Sequence, residues 1–108
     1  MEASVREIKP IANNHFAVII LIDEMTSQFE FTVEKEVGEP MAVISGNREF
    51  CQTFKFNQHI AVEVSKLVSK IYRGAHIEFP VYVGDFASPE EAIAQQKPFQ
   101  QPEATLKK

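Results

Sequence analysis

The sequence predicts an α+β domain. It is an antiparallel β-meander of about five strands with one long helix, about 58–73, packed on one face. A further edge strand at about 76–83 and a short C-terminal helix at about 89–96 complete it. Three observations carry this expectation. Residues 28–35 and 76–83 alternate apolar and polar side chains, the period of a strand with one wet and one buried face. The run Phe16 to Ile22 is continuously apolar, rich in β-branched types and too short for an independent helix. Ile60, Val64, Leu67, Val68 and Ile71 recur at helical spacing. Strands come first and helices later, an order that segregates the helices onto an antiparallel sheet.

From the N-terminus, Ser4 to Ile11 reads as an edge strand, because Pro10 lacks an amide to donate to a ladder. Asn13 and Asn14 supply a tight turn, since asparagine tolerates positive φ. Phe16 to Ile22 is then the central strand. After the polar break "DEMTS", Phe29, Phe31 and Val33 fall on one side of the next strand, with Gln28, Glu30, Thr32 and Glu34 on the other. "GEP" at 38–40 turns the chain into a strand at 41–45, and Gly46-Asn47 has the glycine-first order of a type II′ hairpin. On that basis 48–56 is expected to be a strand that presents Phe50, Gln52, Phe54 and Phe56 on one face.

Asn57 then offers an N-cap to the long helix, Lys70 and Arg73 complement its C-terminal dipole, and Gly74 ends it. Pro80 places the strand at 76–83 on an edge. Ser88-Pro89-Glu90-Glu91 carries a capping box with proline at the first helical position. Residues 1–96 form the expected single domain, and the Pro/Gln/Lys-rich stretch 97–108 the expected disordered tail.

Composition narrows the function classes. The chain has 108 residues, 44% hydrophobic and 24% charged, ordinary for a globular domain that folds on its own core. Its formal net charge of −4 opposes nucleic-acid phosphates and anionic lipid. The nearest basic patch, Lys66, Lys70 and Arg73, has Glu63 among it. No nucleic-acid or membrane partner is therefore expected. One cysteine allows no internal disulfide, and "MEASVREIKP" lacks an apolar leader segment, so a cytoplasmic location is expected.

The candidate chemistry is sparse. Cys51 and His59 are eight residues apart across a strand-to-helix junction, and nothing in the sequence brings them together; packing explains Cys51 better than catalysis. His59 with Glu63, and His76 with Glu78, are two-residue patterns, whereas zinc normally takes at least three protein ligands. Gly84 and Asp85 precede an expected helix N-terminus, where an anion could bind, though connecting loops commonly read this way. No GxGxxG, P-loop or GxSxG motif occurs. A non-enzymatic protein without cofactor or metal is the expectation.

Face counting supplies the functional reading. The run 16–22 is apolar on both sides, with Ala17, Ile19 and Leu21 opposite the face of Phe16, Val18 and Ile20. In the strand at 41–45, Ala42 and Ile44 stand opposite Met41 and Val43. One long helix covers one face only. Ala17, Ile19, Leu21, Ala42 and Ile44 therefore mark a second face that another chain, most simply a second copy, would cover. The expected function is a small protein–protein interaction module or assembly subunit. The alternative is a small-molecule-binding domain whose apolar pocket is lined by Phe50, Phe54 and Phe56.

Overall fold

The computed structural model describes residues 1–35, 38 and 42–88. Its elements are β1 (Glu2–Ala12), β2 (His15–Ile22), β3 (Met25–Glu34), β4 (Val43–Gly46), α1 (Arg48–Thr53), α2 (Gln58–Tyr72) and β5 (Val81–Asp85). The five strands form one antiparallel sheet in the order β4-β3-β2-β1-β5, a four-strand meander with β5 added beside β1. This is the α+β architecture that the sequence predicts. The helix expected at about 89–96 and the tail at 97–108 lie outside the described residues.

Two-residue loops close the first two hairpins, between the paired residues Ala12 and His15 and between Ile22 and Met25. Asn14 and Asp23 each sit at φ 58° there, a conformation that short polar side chains tolerate. The register puts Phe16 opposite Phe31 and Val18 opposite Phe29 and Ile8, so the apolar sides of three strands coincide. In β1 the spacing slips from two to three between Val5 and Ile8. A register shift at Arg6 absorbs the extra residue, keeps Ala3, Val5 and Ile8 on one face and helps the sheet to curl.

The edge assignments change for a physical reason. β1 was expected at an edge, yet β5 pairs with its first half, Glu2 to Val5. Pro10 lies beyond that pairing, on a stretch of β1 whose outer side has no strand partner among the described residues, so a missing amide costs no ladder bond on that side. β5 is the edge strand that Pro80 foretold, but it begins only at Val81, after a cis Phe79–Pro80 bond. Ile77 and Phe79 still pack against the core from outside the sheet.

The larger correction is at 48–56, which is not a strand. Asn47 accepts a hydrogen bond from the Phe50 amide at 3.0 Å through its side-chain oxygen, the work of a helix N-cap rather than of a hairpin turn. Gly46 remains in β4, opposite Phe31; a Cβ on it would lie 2.5 Å from the Phe50 ring, so only glycine lets α1 close down here. In the helical turn Phe50 and Phe54, four residues apart, point the same way and both are buried. Phe56 leaves that face and lies 36% exposed beneath the Lys55 ammonium.

The core lies between the sheet and both helices. Phe50 meets Phe31 at 4.6 Å and Phe29 at 5.5 Å between ring centroids, and Phe54 meets Phe50, Phe29 and Phe86 at 4.8, 5.7 and 5.8 Å. α2 buries Ile60, Val64, Leu67 and Val68 of the stripe expected of it, with Ile71, its fifth member, half-buried against the core. Asn57 stands at its N-cap position but caps nothing. Its side chain instead bonds the Ala87 amide and carbonyl, each at 2.9 Å, and so ties the chain after β5 to the start of α2. Among the described residues no helix is long and apolar enough to cross a membrane.

Candidate functional site

Among the described residues the sheet ends at β4, and α2 packs beside that strand. On the helix side of the sheet Ile44 stands opposite Val33, and Ile44 and Ala42 pack at the margin of the core. Above them α2 turns Ala61, Val62, Ser65 and Ser69 towards the same side, because positions three and four apart share a helix face. Together with Gln58, Lys66 and Arg73 these residues line an open groove of about 420 Å³. Its floor is the edge strand and its wall is the helix.

The groove is apolar at the bottom and cationic at the rim. Val62 is 51% exposed, while Ala61 and Ile44 are half-buried. Lys66 and Arg73 line it, and among the described residues no carboxylate does; Glu63, on the neighbouring helix face, holds the Lys66 ammonium at 3.2 Å. At the outer margin of β4 no strand pairs among the described residues. The sequence Val43-Ile44-Ser45-Gly46 carries none of the lysines or prolines that commonly blunt an edge. Val43, on the opposite side from Ile44, is 62% exposed.

The five residues expected to share the second face divide. Ala17, Ile19 and Leu21 do face away from the helices, but Ala42 and Ile44 belong to the helix side and line the groove. Pairing decides this: Ile44 lies opposite Val33, and Val33 is core. The second face is also less apolar than the β2 run suggests. Its central column is flanked by Ser4, Glu7 and Lys9 of β1 and by Thr26, Gln28 and Glu30 of β3, and Ala17 is only 2% exposed between them.

Of the three phenylalanines expected to line a pocket, Phe50 and Phe54 are buried in the core with their ring centroids 4.8 Å apart, and Phe56 lies off that face, 36% exposed. Cys51 is exposed on α1 rather than buried, its thiol 3.7 Å from the Gly46 carbonyl. His59 is turned to β5, with Nε2 2.9 Å from the Asp85 carbonyl. The residues considered for chemistry are thus engaged separately. Gly84 lies under the His59 ring at φ 135°, where a Cβ would come within 2.9 Å of it, so the spot considered for an anion is taken by a side chain of the protein. Tyr82 donates to an Asp85 carboxylate oxygen at 2.8 Å. That bond raises the phenol's pKa, with desolvation and the negative charges of Asp85 and Glu2 adding to it. Among the described residues no three His, Cys, Asp or Glu side chains gather as metal ligands would.

Sequence reasoning missed the groove, although one signal points to it. Ala61, Ser65 and Ser69 form a line of small residues at four-residue spacing beside the buried stripe of α2, and Val62 is an apolar residue off that stripe. No protein-family model matches the chain, and no curated protein matches its sequence.

Proposed function

We propose that this chain is a non-enzymatic interaction module that takes a segment of another polypeptide against β4 and α2. The observation that carries the reading is that β4, an edge strand with no outer strand partner among the described residues, and one face of α2 line the same groove. A strand edge offers alternate backbone amides and carbonyls to an incoming strand, and the groove beside it accepts every second side chain. The openness of the groove favours a chain segment over a small molecule, since small-molecule sites bury most of the ligand's surface. The narrow Ala17, Ile19 and Leu21 column, with polar columns on both sides, is less suited to a large apolar interface.

Titrating isotope-labelled protein with a mixture of random decapeptides tests the reading through its amide spectrum. Shifts concentrated at 42–46 and 61–69 are expected. Shifts confined to the Ala17, Ile19 and Leu21 strand, or none at all, would remove this surface from consideration.

A further inference from the structure

We infer that the segment taken by the groove is extended and acidic, a stretch of a different protein that adds as a sixth strand beside β4. The inference rests on the interaction-module reading and narrows it to one class of partner.

Two observations select this occupant. The first is the relation between floor and wall. A strand paired to the outer edge of β4, which has no strand partner among the described residues, continues the sheet, so alternate side chains rise on the helix side, where Ile44, Ala61 and Val62 are exposed in part and line the groove. A helix laid in the same place would leave the β4 backbone groups unpaired.

The second observation is charge. The chain as a whole is at −4, yet its groove is rimmed by Lys66 and Arg73, with no lining carboxylate among the described residues. Lys70 adds a third cation to the same helix, against the single carboxylate of Glu63. A second copy joined edge to edge through β4 would bring two such cationic helices alongside each other on one face of a continuous sheet. Like charges there oppose self-pairing. A segment carrying glutamate or aspartate between its apolar residues meets the same rim favourably, and its backbone carries the ladder.

The test uses the full chain and three fluorescent octapeptides, all acetylated and amidated. One alternates valine with glutamate, one alternates valine with lysine, and one repeats the glutamate peptide with alternate backbone amides methylated. Anisotropy titration is expected to show binding of the glutamate peptide alone, with amide shifts at 43–46. Replacing both cations (Lys66→Ala with Arg73→Ala) should weaken it roughly five- to tenfold, as two exposed charge pairs are lost. Val62→Asp, at a half-exposed position that folding does not depend on, should abolish it.

Equal binding of the lysine peptide overturns the acidic partner, and equal binding of the methylated peptide overturns strand addition; both leave the module reading standing. If no peptide binds, light scattering separates the rest. A dimer split by Val43→Asp makes the occupant a second copy and overturns only the present inference. A monomer that binds none of the three peptides, and shows no shifts with the random mixture, overturns both.

Discussion

Truncating Phe54 and Phe56 in parallel distinguishes a helical from an extended course at 48–56, because an extended chain puts both rings on one face and the helical turn separates them. Phe54 is fully buried and meets three other rings edge-on or tilted. A buried phenylalanine removes about 150–250 Å² from water, worth roughly 4–6 kcal/mol at 25 cal/mol per Å² as an upper estimate. Measured Phe→Ala costs in cores are about 3–5 kcal/mol, and Phe54→Ala is expected there. Phe56 retains 36% exposure and a Lys55 ammonium 5.5 Å from its ring centre, so Phe56→Ala should cost about 1 kcal/mol. Since small domains are stable by only about 5–15 kcal/mol, the first variant sits near the threshold of folding and the second well above it. Urea titration followed by circular dichroism, with the slope checked for constancy, measures both. Losses within about 0.5 kcal/mol of each other would refute the reasoning, because the two rings would then share one environment.

Further outcomes follow from single contacts. Asn57→Ala removes both partners of the Ala87 backbone and should cost about 2–4 kcal/mol by the same titration, the usual penalty for stranding partly buried polar groups; a loss under about 0.5 kcal/mol would show that water replaces the side chain. Cys51, exposed on α1, should react with a thiol dye in the native protein at a rate close to that in urea, and strong native protection would place it in the core. Tyr82 should ionise above the ordinary phenol value of 10.0 because ionisation breaks its bond to Asp85. The small stabilisation this brings is complete below that pH and lost as pH rises through the raised value. In a Tyr72→Phe background, ultraviolet titration should show Asp85→Asn lowering the ionisation, and an unchanged curve would refute the bond's role.

The α2 stripe, the alternation of β3, the run of β2 and the asparagine turn before it were legible from residues alone, since each rests on a local period or a local φ preference. The long-range partners were not. Phe50, Phe54 and Phe56 all satisfy a two-residue period, whereas a four-residue one takes only Phe50 and Phe54. Asn47 serves a turn or a cap equally well, and only the close approach of Phe50 to Gly46 and Phe31 selects the helix. The face of a four-residue strand such as β4 is likewise set by its partner: pairing Ile44 with Val33 moved Ala42 and Ile44 from the expected second face to the helix side. That move created the candidate site. A groove is a relation between elements distant in sequence, here an edge strand and the helix that packs beside it, and local periodicity carries no information about which strand ends the sheet or which helix face meets it.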